Sequence, residues 1–154
     1  MNDLRNVLFD VFSETASNVS VFILNGVRMV GKVTEFDSSS FYLNGSSTLS
    51  SVGLNAVSSI VVEDPAASNE FILRLSKLEQ GERFVKNSQF LMMSPKLNKS
   101  FNLFLSNRVR LHGSVIAESE DTVFVVVLGS KKGDGVKSLM MVNKEVLACA
   151  ELAR

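Results

Sequence analysis

A thirteen-residue stretch of this chain recurs as a near copy. Val19 to Gly31 reads Val-Ser-Val-Phe-Ile-Leu-Asn-Gly-Val-Arg-Met-Val-Gly, and Phe101 to Gly113 reads Phe-Asn-Leu-Phe-Leu-Ser-Asn-Arg-Val-Arg-Leu-His-Gly. A shift of 82 positions pairs Phe22 with Phe104, Asn25 with Asn107, Val27 with Val109, Arg28 with Arg110 and Gly31 with Gly113. Asn25-Gly26 supplies two residues tolerant of positive φ between apolar runs, the strongest short signal for a β-hairpin. A chain that repeats such a hairpin is built from two β units. Within 154 residues each unit has about 65 to 75 residues, small enough to be marginal alone. Each unit therefore leans on the other or on another copy of the chain.

The flanking sequence completes the units. Leu4, Val7, Leu8, Val11 and Phe12 fall at helical spacing and predict a helix over 2–15. Asn2 is placed to cap it, and Asp3 suits the positive end of its dipole. Strands are expected at 19–25, 28–36, 40–43, 48–52 and 57–62. Gly31 and Gly113 lie inside strands, where glycine marks a bend or a close backbone approach. The second unit repeats the strands at 101–106, 109–118, 122–128, 138–142 and 146–150. Its loop from Gly129 to Ser138 is longer, glycine-rich and basic, so Val52 pairs with Val142 at an offset of 90. Residues 68–80 read as a helix closed by Gly81, with a strand over 71–75 as the alternative. Residues 84–93 read as one helix stopping near Pro95, in the place of the first unit's helix. The predicted organisation is a first domain over 1–64, a linker with helical character over 65–83 and a second domain over 84–154.

Charge is uneven beneath a net of zero. Residues 1–65 hold three basic against seven acidic side chains, and residues 81–154 hold eleven basic against seven acidic. The halves therefore differ in task, or their solvated surfaces have drifted. The single cysteine, Cys149, sits in the apolar run Val146 to Ala150 and is expected to be a buried small hydrophobe. It can form neither an internal disulfide nor a metal cluster. The N-terminal segment is acidic-polar and amphipathic rather than a secretory leader, and no apolar run is long enough to span a membrane. The expectation is a cytoplasmic protein with no membrane partner and no cofactor. One histidine, one cysteine and no carboxylate pair on a known scaffold argue against an enzyme.

A helix followed by five short, bent strands, with Asn25-Gly26 in the first hairpin and the turn at Phe36-Asp37, resembles the bacterial Sm-like RNA chaperones of the Hfq family. The resemblance is closest over 19–62. Gly53-Leu54-Asn55-Ala56-Val57-Ser58 lies where that family carries its second signature, Tyr-Lys-His-Ala-Ile-Ser, and 101–151 is a more distant copy of the whole pattern. The resemblance implies a mainly β fold: two Sm-like repeats, each a strongly bent five-stranded antiparallel barrel with an N-terminal helix. It also implies rings of six units in which the fourth strand of one unit pairs with the fifth of its neighbour, leaving no open edge. Two units per chain then give a homotrimer.

The same resemblance places the candidate RNA contacts. On the hairpin face they are Phe22, Arg28, Phe104 and Arg110, since a base stacks on a phenylalanine or a guanidinium plane. The alternatives are core packing for the phenylalanines and ion pairs between units for the arginines. On the pore face they are Asn55, Asn143 and Lys144. There Leu54-Asn55 replaces the family's Lys-His, Ser38-Ser39 replaces its Gln-Phe, and Glu145 stands beside Lys144, so the usual uridine pocket is degraded. A solvated loop lysine is the plain alternative for Lys144. Lys96 and Lys99 are candidate rim residues, and Lys131, Lys132 and Lys137 form a basic loop. His112, the only histidine, is expected to be an ordinary surface residue. Two functions follow: a single-stranded RNA-binding ring of the RNA chaperone or riboregulator type, or a structural or protein-interaction ring that has lost RNA binding.

Overall fold

The computed structural model describes residues 4–94, 100–128 and 137–153, apart from the side chains of Leu128 and Lys137. Helix α1 (Leu4–Thr15) buries Leu4, Leu8, Phe9, Val11 and Phe12. The expected stripe is present, with Phe9 added to it. Phe9 packs 5.1 Å from Phe41, 5.5 Å from Phe36 and 5.6 Å from Phe12, centroid to centroid, so it is the aromatic hub of the first unit. The cap expected at Asn2 and Asp3 falls outside the described residues.

Five strands follow: β1 (Asn18–Ile23), β2 (Arg28–Phe36), β3 (Ser40–Asn44), β4 (Leu49–Gly53) and β5 (Val57–Val62), with a 3-10 turn at Leu54–Ala56 between the last two. The β1–β2 hairpin turns as its sequence predicts. Gly26 sits at φ +92°, and the Asn25 side chain accepts the Val27 N–H at 3.1 Å. Gly31 lies against β3, where an added Cβ would come within 2.6 Å of the Asn44 carbonyl oxygen.

The turn at Phe36-Asp37 is held by one carboxylate oxygen. Asp37 Oδ1 accepts the backbone N–H groups of Ser39 and Ser40 at 2.8 and 2.9 Å. The Ser39 N–H above all, and then the Ser40 N–H, hold the carboxyl below its ordinary 3.8, because they favour the charged form. A carboxyl whose pKa falls on folding stabilises the fold above its unfolded pKa, and that contribution disappears as pH falls through the lower, folded value. Asp37→Ala should therefore be less stable than the unaltered chain at about pH 6, and the gap should shrink as pH falls towards about 2. Urea denaturation at the two pH values measures the gap; a gap of constant size would show that the charge has no part in the turn.

The second unit repeats the order: β6 (Ser100–Leu105), β7 (Arg110–Glu118), β8 (Thr122–Leu128), β9 (Lys137–Asn143), a 3-10 turn at Lys144–Val146, and β10 (Leu147–Leu152). In its hairpin Arg108 adopts φ +72°, the role Gly26 has in the first, and Asn107 accepts the Val109 N–H at 3.1 Å. All ten strands form one antiparallel sheet in the order β10-β6-β7-β8-β9-β5-β1-β2-β3-β4. The units join where β5 pairs β9, with Ser59 opposite Val142 and Val62 opposite Leu139. That is the fifth strand of one unit against the fourth of the other. The fold is mainly β, and both units have the five-strand order expected from the sequence.

Between the units the structure departs from expectation in part. The helical reading of this stretch holds with earlier bounds: residues 65–76 form helix α2 (Pro65–Ser76), capped by Asp64, whose side chain accepts the Ala66 N–H. Proline at the first helical position has its φ already set and no N–H to leave unpaired. The helix ends at Lys77, so Gly81 is not its cap, and the strand alternative for 71–75 is excluded. Ala67, Phe71 and Leu75 are buried, with the Phe71 ring 5.2 Å from that of Phe124 on β8. Burying a phenylalanine of this kind contributes about 1.5–3 kcal/mol. Arg74 links α2 to α1 through Glu14 at 2.9 Å. Of the single helix expected over 84–93 only α4 (Gln89–Met93) forms, and a separate short helix, α3 (Gln80–Arg83), precedes it. Phe84 is extended at φ −129° and Asn87 adopts φ +63°, so no helix passes through. The second unit thus has only a short helix in front of its strands. Phe84 and Phe90 close the core beneath, Phe90 edge-on to Phe101 at 5.3 Å.

Two cores result, and they interlock. The first contains α1, α2 and the inward residues of β1 to β5, but also Ala117, Phe124, Val126, Leu139 and Met141. The second contains Val115, Val123, Val125 and Val142. Successive residues of β8 enter opposite cores because side chains alternate across a strand. The unbroken apolar run Val123 to Val127 reflects a strand covered on both faces. Cys149 is exposed, not buried. It lies on β10, an edge strand whose register shifts between Leu147 and Cys149. Among the described residues no helix is long and apolar enough to cross a membrane.

Candidate nucleic-acid interface

Strand alternation decides what the hairpin phenylalanines do. On β1, Val19 and Val21 enter the core, and on β6, Phe101, Leu103 and Leu105 do. Phe22 and Phe104 fall on the alternate positions, are half-buried and belong to neither core. The core reading of these two residues is overturned. Each stands directly across the hairpin from an arginine, Phe22 opposite Arg28 and Phe104 opposite Arg110. The guanidinium carbon lies 6.0 Å from the Phe22 ring centroid and 5.5 Å from that of Phe104. A cation–π contact at an exposed site contributes about 0.5–1 kcal/mol. It also pre-orders a flat aromatic surface beside a positive charge, the combination that holds a stacked base and its phosphate.

The arginines differ. Arg28 Nη2 donates to Ser20 Oγ at 3.0 Å and lies 3.9 Å from Glu63 Oε1. Ser20 in turn donates to Glu63 at 2.6 Å. This ion pair lies within one unit, not between units. Among the described residues no carboxylate pairs with Arg110. The next outward pair along the ladder is Asn102 opposite His112, joined at 2.8 Å through His112 Nδ1 and Asn102 Oδ1. Sequence reasoning passed over Asn102 and Glu63 as contributors and gave His112 no task. Their signal was the period of two, which puts Asn102 and His112 on the same face as Phe104 and Arg110.

The pore-face candidates are occupied differently. Asn55 is exposed on the turn after β4. Asn143 uses its carboxamide structurally, donating to the Val57 carbonyl at 3.0 Å and accepting the Glu145 N–H at 2.9 Å. Lys144 is not a solvated loop lysine: its Nζ lies 2.7 Å from Glu118 Oε2, and the Glu118 side chain is only 3% exposed. Asn55, Asn143, Glu145, Asp121 and Arg5 border a recess of about 80 Å³ at the joint between the units. Arg5, the sole basic residue before Arg28, lies 3.9 Å from Asp121 and was not anticipated. A larger cleft of about 480 Å³ beside it is bordered by Arg5 as well as Glu82, Glu118, Glu120 and Asp121. Lys96, Lys99, Lys131 and Lys132 lie outside the described residues, and Lys137 begins β9 with its side chain outside them. Among the described residues no cluster of three or more His, Cys, Asp or Glu is placed to hold a metal ion.

No protein-family model matches this chain, and no curated protein does. Among solved structures, one described as the pleiotropic translational regulator Hfq is similar to it at 28% identity, over 40% of this chain and 92% of that one, with a TM-score of 0.38.

Proposed function

We propose that this protein binds single-stranded RNA on the hairpin face of a ring made by three chains, as a riboregulator or RNA chaperone rather than as an enzyme. The observation that carries the reading is the pair Phe104–Arg110, an outward aromatic ring under a guanidinium that no described carboxylate neutralises. Capture of phosphates by arginine makes the affinity fall steeply with salt. Fluorescence anisotropy with labelled oligoadenylate and oligouridylate over a salt series tests this, and absence of binding at low salt would refute it. A cytoplasmic location goes with this reading.

The ring follows from the sheet edges. Within the chain, β5 of one unit pairs β9 of the other, and β10 and β4 end the sheet unpaired. Open edges of this kind attract further strands. Carrying the β5–β9 register over by 90 positions puts Cys149 opposite Val52, Ala150 opposite Ser51, Glu151 opposite Ser50 and Leu152 opposite Leu49 of the next chain. Directly opposed residues of an antiparallel pair have Cα atoms about 4.5–5.5 Å apart, within disulfide reach. Oxidised Ser51→Cys/Ala150→Cys in a Cys149→Ser background should run on a non-reducing gel as crosslinked species ending at three chains. A product that stays monomeric, or a ladder that continues upward, would disprove a closed trimer.

A second reading is favoured by the pore face. Lys144 is neutralised by Glu118, and Asp121 and Glu145 border the recess at the joint between the units. A ring with that face but no RNA would serve protein contacts, and it would purify free of nucleic acid.

A further inference from the structure

Four side chains share the outer face of the β6–β7 ladder: Phe104 opposite Arg110, and Asn102 opposite His112. The matching positions on β1–β2 are Phe22 opposite Arg28, and Ser20 opposite Val30. The two sets differ in where a carboxylate stands: Glu63 lies beside the arginine of the first, whereas Glu151 lies beside Asn102 on the second. Glu63 follows β5 and holds both Arg28 and Ser20. The offset of 90 that relates β5 to β10 places Ala153 at the equivalent position, and alanine brings no charge.

We infer that the two repeats are unequal RNA sites: the platform of Phe104, Arg110, Asn102 and His112 reads bases, whereas Glu63 closes the platform of Phe22 and Arg28. This rests on the RNA-binding reading above and assigns three base-reading sites, not six, to a ring of three chains. On the second repeat no described carboxylate pairs with Arg110, and the nearby Glu151 is held by Asn102 instead. Asn102 donates to Glu151 at 3.0 Å and contacts His112 Nδ1, which leaves His112 Nε2 and one amide hydrogen for the edge of a base stacked on Phe104. On the first repeat a carboxylate next to Arg28 repels the phosphate that the arginine would attract. Ser20 Oγ is already engaged with Glu63 and Arg28, and Val30 offers no polar atom.

The test uses the full chain with a fluorescein-labelled oligoadenylate. Arg110→Ala and Phe104→Ala should each weaken binding by about tenfold or more, the scale of a lost base stack. Arg110→Ala should also flatten the salt dependence. Arg28→Ala and Phe22→Ala should change affinity by less than about twofold, as for residues whose charge is already paired at the surface. Two charge swaps make the assignment reciprocal. Ala153→Glu should reproduce the loss seen with Arg110→Ala, and Glu63→Ala should raise the number of nucleotides bound per ring. Equal losses from Arg28→Ala and Arg110→Ala, or an Ala153→Glu chain that folds and binds as before, would overturn the inequality while leaving RNA binding intact. An unaltered chain that binds no RNA would overturn both.

Discussion

Lys144→Ala should destabilise the protein by about 3 kcal/mol and leave its RNA affinity nearly unchanged. Position alone suggests the reverse, since Lys144 stands on the turn where the Hfq-family resemblance expects a pore-facing cation. Its ammonium lies 2.7 Å from Glu118 Oε2, however, and the Glu118 side chain is 3% exposed on β7. The other oxygen, Oε1, is buried without a described partner. Removing the lysine strands a carboxylate away from both water and counter-charge. That loss is larger than the net contribution of the intact pair, because desolvation offsets much of the attraction between the charges. The double variant Lys144→Met/Glu118→Leu should therefore be more stable than Lys144→Ala alone. Urea denaturation of the three chains supplies the comparison, with anisotropy run in parallel. A stability cost under about 1 kcal/mol combined with a large loss of RNA binding would return Lys144 to the pore surface.

Gly113→Ala is the second substitution with a large expected effect, about 3 kcal/mol. An added Cβ at this position would fall on the backbone carbonyl of Val126 on β8. The obstruction is main chain inside a paired ladder, so no side-chain rotation relieves it. Gly113 pairs Val127, close to the bulge between Val115 and Ala117 where β7 bends. Gly53 gives the contrast, with φ −77° and nothing within 4 Å of an added Cβ. Gly53→Ala should be neutral to slightly stabilising through the entropy of the unfolded chain. Thermal unfolding of the two variants separates steric demand from glycine content. Equal melting temperatures would mean that the β7–β8 approach relaxes at little cost.

The particular residues show how far local pattern reaches. The two hairpins were legible because Asn25-Gly26 and Asn107-Arg108 determine turn geometry within four residues, and Arg108 accepts positive φ where glycine is missing. Strand ends fell within a few residues of expectation for the same reason. The side on which Phe22 and Phe104 lie was not legible. An apolar strand residue reads alike whether it faces a core or a binding surface, and only the register that sets each against an arginine distinguishes them. The shortening of the helix expected over 84–93 was also hidden, because Phe84 leaves the helical path to join the core that Phe101, Leu103 and Val115 of the second unit form. The exposure of Cys149 depends on β10 being an edge, which the composition of 146–150 cannot reveal.

Short-range physics in the sequence thus settled the repeat, the mainly β class, the first helix and the glycines that permit close approach. Those features depend on turn preference, side-chain period and missing Cβ atoms. Tertiary structure decided the rest: the β5–β9 joint, the interlocked cores, the pairing of Lys144 with Glu118, and the contrast between Arg28 and Arg110. Each of these joins residues distant in sequence. Their geometry is selected by packing the whole sheet at once, so a carboxylate at 63 or its absence at 153 acquires meaning only where the fold brings an arginine beside it.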